Sequence, residues 1–392
     1  MCIRDSERAA PYHFETDGLQ FHHLPDTPIA PLYRHYSVEA ATRQLRLTQP
    51  YTNPNWTHAS RGMTHYVRRC VESFRAGNIK DGCAFLGWLF HVLQDSGFGP
   101  HSLEGPDGTD CFVLQRLFPE NEDPRLDPLT ILEDVPPPPP PSDTREYVPR
   151  LLGFTAEEAT LHLYTRYAAM AAATRRGCHQ IVTHAHEGRT DRNTPIFHAM
   201  YKRCAYLCAD VLYTILCVAT RRCETDTAAL LRVTLSDLEP IQRPWLVSPP
   251  YGHHAMVRDG SLDNGGRRLP LQLFLSDTGL PVTYRKGLGL GAQHAYSLSY
   301  ELPRGLYAAL DSALGLHAKT CRQGEARLTL LIDGAPAYTA LFNKDKPAER
   351  LHIPHPGGRL ELRVEVANSA QAAHTHIVWA DPILERCPPA WE

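Results

Sequence analysis

The sequence predicts two domains of different fold class, an all-α helical bundle followed by an all-β, jelly-roll-like sandwich. Up to about residue 222, long segments repeat apolar residues at helical spacing. Past Thr234, short segments alternate apolar with polar residues between glycine, proline and Asp-Gly turns. A length of 392 residues allows two domains that each bury a core.

The predicted boundaries follow these changes in the sequence pattern. Six consecutive prolines, Pro136 to Pro141, cannot enter a helix or strand and mark an exposed insertion. Residues 1–6 look like a foreign leader, and no apolar segment of a secretory signal precedes the first domain. The predicted parts are an irregular N-terminal segment at 1–29, the helical domain at 30–222 with a proline-rich insertion at 134–146, a linker at 223–248 and the β-sandwich at 249–386.

Composition excludes several classes of protein. The net charge of −3 gives no basic field for duplex nucleic acid. We expect no membrane span, because no run of about eighteen apolar residues is present. The eleven cysteines form no Cys-x-x-Cys pair, and we interpret them mainly as small buried side chains.

Capping residues and helical spacing predict the main helices. Asn78 is a start signal, and Thr155 with Glu158 forms a capping box. Glycine and proline after Gln94 end the helix that begins after Asn78. The predicted helices are Ser37–Leu47, Thr64–Phe74, Lys80–Gln94, 155–176 and Phe197–Thr220.

Two possible metal ligands lie one turn apart on the helix that begins after Asn78. His91 and Asp95 are four residues apart and leave the same helical face. The Ser-Gly-Phe-Gly-Pro turn is expected to fold His101 back towards that face. Zinc takes imidazole and carboxylate ligands where it keeps a position open for water. The alternative is a helix-ending Asp95 and a packed His91; the third ligand favours a metal site.

The run FRAGNIKDGCAFLGWLFHVLQDSGFGPHSLEG, which contains these residues, resembles the core of the zinc-dependent phospholipase C family and of its relatives, the fungal-type single-strand-specific nucleases. The resemblance implies a helical fold, one to three zinc ions, a phospholipid or other phosphodiester substrate and an exported protein. It is good over residues 60–105. A near-neutral chain without basic and aromatic residues interleaved favours a lipid or small phosphodiester over nucleic acid.

The resemblance also implies ligands outside this helix. A metal-binding histidine before it corresponds to His58, and a metal-binding Asp of an early loop corresponds to Asp26. A loop carboxylate such as Asp26 could also take the proton in hydrolysis. The alternative for both is an exposed loop residue. Glu158 and His162 are spaced as a metal pair but in the order opposite to the family's, which puts one metal position in doubt.

The second half is read as antiparallel strands from segments such as LQLFLSD, SLSYEL, ARLTLLIDG and RLELRVEVA. Three motifs there, YRKGLG at Tyr284–Gly289, Asp333-Gly334 and HIVWAD at His376–Asp381, resemble the NPCBM carbohydrate-binding modules found beside family 98 glycoside hydrolases. This resemblance covers about Pro249 to Leu384. It implies that a glycan is the partner of the C-terminal domain.

Sugar binding in such a sandwich needs an aromatic face and a few polar groups for hydroxyls. Trp379 fits that requirement, but an alternating strand equally allows it to be a core residue. The predicted carbohydrate-binding residues are His294, His374, His376, Trp379 and Asp381.

The main expectation is a zinc-dependent phosphodiester hydrolase that carries a carbohydrate-binding module. Bound zinc would lower the pKa of a water to about 7. The alternative is a non-catalytic carbohydrate-binding protein with a degenerate metal site, or a protein that accompanies glycoside hydrolases. No carboxylate pair suggests a glycosidase.

Overall fold

A computed structural model describes most of both halves of the chain. The described residues form two compact units, and the boundary between the units lies between Thr225 and Asp226. The residues described are 36–39, 44–47, 56–97, 145–186, 188–225, 227–241, 256–263, 266–277, 279–292, 295–320, 324–367 and 375–388.

Four long helices form the first unit. A two-stranded sheet of β1 and β2 precedes them, so the helix predicted over Ser37–Leu47 is wrong for the described residues. The local reason is the alternation in Gln-Leu-Arg-Leu, which is a strand pattern. The elements are β1 Tyr36–Glu39, β2 Gln44–Leu47, α1 Trp56–Arg75, α2 Ile79–Gly97, α3 Ala156–His186, a 3-10 turn at Thr190–Asn193 and α4 Thr194–Thr220.

The four helices pack on one another, and each contributes to a shared apolar core. α1 contacts α2, α3 and α4, and α4 also contacts α2 and α3. Among the fully buried core residues are Met63 and Tyr66 of α1, Leu89 and Leu93 of α2, and Val218 of α4. The predicted helical class is confirmed; the phospholipase type of bundle stays a prediction.

The two predicted helix starts are confirmed at their caps. The Asn78 side-chain oxygen accepts the amide of Asp81 at 3.3 Å at the start of α2. Thr155 accepts the amide of Glu158 at 3.2 Å, while the Glu158 carboxylate accepts the amide of Phe154 at 2.8 Å. These bonds satisfy first-turn amides that have no partner within the helix.

A buried carboxylate fastens the segment before α3 onto α4. Asp210 is fully buried, and it accepts the Tyr147 hydroxyl at 2.7 Å and the Arg150 amide at 2.6 Å. Arg166 of α3 forms an ion pair with the same carboxylate. The nearby Thr214 hydroxyl accepts the Leu152 amide at 2.9 Å. This network gives the buried charge both a counter-ion and hydrogen bonds, which a buried charge requires.

One segment, Thr190–Thr220, is long and apolar enough by length and composition to cross a membrane. Half of its most apolar window is buried, and its helix α4 packs on three others. A core helix of a soluble protein meets the same criteria.

The second unit is built from antiparallel strands. Its elements, in chain order, are the following: α5 Ala228–Leu231, β3 Arg232–Thr234, a 3-10 turn at Leu235–Asp237, β4 Met256–Arg258, β5 Ser261–Leu262, β6 Arg268–Leu269, β7 Leu271–Phe274, β8 Pro281–Tyr284, β9 Gly287–Gly291, β10 Tyr296–Leu302, β11 Tyr307–Leu316, β12 Ala326–Ile332, β13 Ala335–Phe342, β14 Glu349–Pro354, β15 Gly358–Val366 and β16 His376–Arg386.

Two sheets dominate the described part of this unit. One has the order β10-β15-β12-β13, and the other the order β14-β11-β16-β9-β4, with β3 also paired to β16. In β15, Leu360, Leu362 and Val364 are fully buried while Arg363 and Glu365 are exposed, which is the predicted alternation except that Glu361 is buried as well. The predicted sandwich class is therefore confirmed. β3 lies within the segment predicted as a linker at 223–248, yet it belongs to the sheet.

The hairpin of β7 and β8 covers part of the second sheet. Its Leu271, Leu273 and Leu275 form one buried cluster with Ala313, Val378 and Ala380 of β11 and β16. Trp379 lies between Leu314 and Leu288 in the sheet register, and all three are fully buried. The first five residues of β16 are all buried. Because successive side chains of a strand point to opposite faces, this central strand is covered on both faces.

Candidate functional site

The residues predicted to bind metal are only partly within the described structure. His91 and Asp95 both lie on α2, which confirms that one helix carries them a turn apart. His91 is partly buried, and its ring meets Trp88 edge-on with centroids 6.3 Å apart. The side chains of Asp95 and His58 lie outside the described set, although His58 falls on α1. Asp26 and His101 lie outside the described residues altogether.

The second predicted pair lies on α3, and one of its members has a structural role. Glu158 is fully buried and caps the start of α3 through the Phe154 amide. His162 lies one turn further along the same helix. Among the described residues, no group of three or more His, Cys, Asp or Glu side chains is arranged to hold a metal ion. The zinc site thus remains a prediction that the described residues alone do not complete.

The residues predicted to bind sugar mostly do not form a surface. Trp379 and His376 are both fully buried, so neither can contact a glycan in this fold. For Trp379, the core position that the sequence left open is the observed one. His294 and His374 lie outside the described residues. The prediction for Trp379 and His376 is wrong because β16 is covered on both faces.

Asp381 lies at an irregularity of β16. Two residues of β16, Asp381 and Pro382, face the single Ser312 of β11, which is a β-bulge. Asp381 has a φ of 42°, and its amide donates to the Lys286 carbonyl at 3.0 Å. Burial raises the pKa of its carboxyl. The side chain is partly exposed. Of the predicted carbohydrate-binding residues that the structure describes, Asp381 is therefore the one for which a role in binding stays a prediction.

The YRKGLG motif is explained by structure. Lys286 bridges Asp237 at 2.5 Å and Asp259 at 3.0 Å. Burial alone would raise the pKa of Asp259, but hydrogen bonds from Lys286, Ser236 and the Gly287 amide bring it below its ordinary value. Gly287 has a φ of 138°, and a Cβ there would lie 2.3 Å from the Trp379 carbonyl oxygen. The motif therefore fastens the start of β9 against β16.

A cavity of about 500 Å³ lies where β7, β11 and the β13–β14 loop end together. Phe274, at the end of β7, is 45% exposed there. Its carbonyl accepts the Ala348 amide at 2.8 Å, which joins β7 to the β13–β14 loop. This volume is within the range of about 300–1,000 Å³ usual for small-ligand sites. The lining residues are Phe274, Ser276, Leu316, His317, Ala318, Asn343, Lys344, Asp345, Lys346, Pro347 and Ala348.

A tight turn shapes one wall of this cavity, hereafter the Phe274 cavity. The Asn343 side-chain oxygen accepts the amides of Asp345 at 3.0 Å and Lys346 at 3.1 Å. Such a turn is typical of asparagine between strands. Its position is further fixed because Lys346 pairs with Glu349 at 2.8 Å and lies 5.1 Å from the centre of the Phe342 ring.

A buried histidine forms another wall. His317 is 2% exposed, with Nε2 placed 3.0 Å from the Pro270 carbonyl oxygen and Nδ1 placed to accept the Lys319 amide at 3.2 Å. Together these contacts require the proton on Nε2 and none on Nδ1. Burial lowers the pKa of this imidazole. His317 is therefore neutral at neutral pH.

The sequence holds one signal for this site that its analysis did not use. In β7, Leu271 and Leu273 point to the core, so Phe274 falls on the outward side where a polar residue is usual. An aromatic residue in that position is unexplained by packing. The Asn-Lys-Asp-Lys-Pro turn was recognisable too, but its distance in sequence from Phe274 hid the relation.

One comparison with known protein families matches the C-terminal unit. Residues 232–385 match the family profile described as NPCBM/NEW2 domain. No curated protein is significantly similar to the chain. The family match includes no residue of the helical unit, so the resemblance to phospholipase C stays a prediction.

Several solved structures are similar in part. One is CBM51 from Clostridium perfringens GH95 with methyl-galactose, at 22% identity and a TM-score of 0.32, over 39% of this chain and 99% of that one. Another is CBM51-2 with GlcNAc and INT domains from Clostridium perfringens ZmpB, at 21% identity and a TM-score of 0.32, over 40% of this chain and 31% of that one. The tandem CBM51 modules of Sp3GH98 from Streptococcus pneumoniae SP3-BS71 are 17% identical with a TM-score of 0.33, over 43% of this chain and 52% of that one.

The chain thus spans less than two thirds of the latter two chains. The match to the family profile falls on the same residues that form the two sheets. The C-terminal region of this chain therefore contains a carbohydrate-binding module of the NPCBM type.

Proposed function

We propose that the chain is a carbohydrate-binding protein whose C-terminal module holds it on glycans through the Phe274 cavity. The observation that supports this most directly is the exposed Phe274 ring beside polar side chains in a concave site. An aromatic face accepts the C–H side of a sugar ring, while nearby polar groups bond its hydroxyls. The match of this region to the NPCBM/NEW2 family supports the same function.

A binding module of this kind acts by raising local concentration. A chain held on a glycan surface meets nearby substrate far more often than a free one. We propose that it serves the helical unit, or a glycoside hydrolase that works with the protein, outside the cytoplasm where such surfaces are accessible.

The experiment measures binding of the full chain to a glycan array and then, for the glycans retained, by titration calorimetry. Phe274→Ala should weaken binding by about five- to thirtyfold, because loss of a stacking face costs about 1–2 kcal/mol. Leu341→Ala is the matched control, since Leu341 is 37% exposed and does not line the cavity. Equal binding by wild type and Phe274→Ala, or no glycan binding at all, would reject the proposal.

We keep zinc-dependent phosphodiester hydrolysis by the helical unit as a second candidate. Its support is the placement of His91 and Asp95 on one helix, a turn apart. The measurement is metal content of the purified chain, with phosphodiester hydrolysis before and after chelation and in His91→Ala. This candidate expects bound zinc, and hydrolysis that both chelation and the substitution abolish. Zinc-free protein, or hydrolysis indifferent to chelator, would leave only the binding function.

A further inference from the structure

Among the described residues, each charged side chain that lines the Phe274 cavity belongs to an ion pair. Lys344 pairs with Asp345 at 2.7 Å, and Lys346 pairs with Glu349 at 2.8 Å. Next to the lining residue Ser276, Asp277 pairs with Arg350 at 3.4 Å. Such exposed pairs contribute little to stability, but in each of them the cation already faces a carboxylate.

The remaining titratable group of the lining adds no cation. His317 has one ring nitrogen placed to donate to Pro270 and the other to accept from Lys319. Its imidazole is neutral at neutral pH because burial disfavours the charged form. Lys319 itself is exposed beside the cavity but does not line it. Among the described lining residues, an anionic ligand would therefore meet only lysines that already face a carboxylate.

The Asn343 amide is oriented by the turn that it closes. Its oxygen is used twice, by the amides of Asp345 and Lys346. The amide nitrogen is thereby directed away from those two groups, and its two N–H groups are the part of Asn343 left for a ligand. A primary amide nitrogen only donates, so it recognises an acceptor oxygen. Ser276, by contrast, has a hydroxyl that can donate or accept.

From these observations we infer that the Phe274 cavity is built for an uncharged sugar unit, and that Asn343 is the residue that determines specificity, donating to a hydroxyl or acetamido oxygen of a ring stacked on Phe274. This inference rests on the proposed function. Its physical reason is the cost of removing a carboxylate or sulfate from water where the described lining residues offer no cation outside an ion pair. A neutral ring loses much less, because its hydroxyls exchange one set of hydrogen bonds for another.

The first test compares ligand classes on the full chain. An array carries neutral oligosaccharides beside their sialylated and sulfated counterparts. We expect retention on neutral glycans and at least about tenfold weaker binding of the anionic counterparts. Affinity for the neutral glycan should change less than about twofold between low and high salt, because no ion pair forms on binding. Preference for sialylated or sulfated glycans, or a steep fall with salt, would overturn the inference while leaving the proposed function intact.

The second test is Asn343→Asp, which keeps the shape and the acceptor oxygen that the two turn amides need. It replaces only the donor nitrogen by an oxygen that repels an acetamido carbonyl oxygen but accepts a hydrogen bond from a hydroxyl. We expect the affinity for the neutral glycan to change by at least about fivefold, falling where an acetamido carbonyl faces residue 343 and rising where a hydroxyl does, with an unchanged melting temperature. Lys319→Ala is the control and should bind as wild type does. Unchanged affinity in Asn343→Asp would overturn the inference, whereas a wild-type chain that binds no glycan would remove the proposed function and the inference together.

Discussion

Two aromatic residues of the C-terminal unit show opposite uses of the same chemistry. Trp379 lies in the central strand β16 and is fully buried between Leu314 and Leu288. Phe274 lies at the end of β7, at the rim of the Phe274 cavity, and is 45% exposed. The comparison teaches that aromatic character alone does not identify a sugar-binding residue. What decides the role is whether a second layer covers that face of the strand.

The cover has a clear origin in the fold. Trp379 lies on one face of β16. Val378 and Ala380 lie on the other face, which packs under the β7–β8 hairpin. Phe274 belongs to that same hairpin but lies on its outer side. The β7–β8 hairpin thus covers one face of β16, the strand of the HIVWAD motif, and also carries the aromatic ring that we propose to bind sugar.

The largest expected effect is on the buried member of this pair. Trp379→Ala should reduce the free energy of unfolding of the C-terminal unit by about 3–5 kcal/mol, because it removes a large buried side chain and leaves a cavity. Scanning calorimetry of the full chain measures the loss. Trp379→Phe, which keeps part of the volume, should cost less. An unchanged transition in Trp379→Ala would contradict the assigned core role.

Gly287→Ala should have the next largest effect, at about 2–4 kcal/mol of unfolding free energy. A Cβ at Gly287 would meet the Trp379 carbonyl oxygen at 2.3 Å, and its φ of 138° is unfavourable for any other residue. Gly305→Ala is the control, since Gly305 has a φ of 72° but open space around its Cβ position. Calorimetry that ranks the two substitutions equally would show that backbone strain, not contact with β16, dominates.

His317 predicts a pH dependence smaller than these effects. Burial lowers its folded-state pKa below the ordinary value of 6.5, so the unfolded chain binds a proton more readily. Stability of the C-terminal unit should therefore fall as the pH drops below 6.5, and level off once the folded state is protonated as well. In His317→Gln this part of the slope should disappear. A slope between pH 7 and about 5 that is the same in both proteins would exclude His317 as its source.

The smallest expected effect on stability is that of Phe274→Ala. Because Phe274 is 45% exposed, the free energy of unfolding should change by about 0.5 kcal/mol or less. Thermal unfolding of the same preparation used for glycan binding measures it. Stability loss comparable to that of Trp379→Ala would mean that Phe274 is a packing residue, and the contrast between the two aromatics would fail.

Local signals in the sequence were reliable where the structure depends on local bonding. The caps at Asn78 and Thr155, the strand β15 and the Asp333-Gly334 turn, whose Asp333 has a φ of 51°, all follow from neighbouring residues. The helix predicted over Ser37–Leu47 was wrong because the segment ends in the alternating Gln-Leu-Arg-Leu, which is a strand pattern. Contacts between residues far apart in sequence could not be predicted from such local signals.

By itself, the sequence determined the two fold classes, most helix ends and the NPCBM-type motifs, because periodicity, caps and turns act over a few residues. Only the tertiary structure decided that His376 and Trp379 are covered, and that Phe274 and Asn343 meet at one cavity. The physical reason is that burial depends on which layer packs over a strand face. For the face of β16 that carries Val378 and Ala380, that layer is a hairpin about a hundred residues away in the chain.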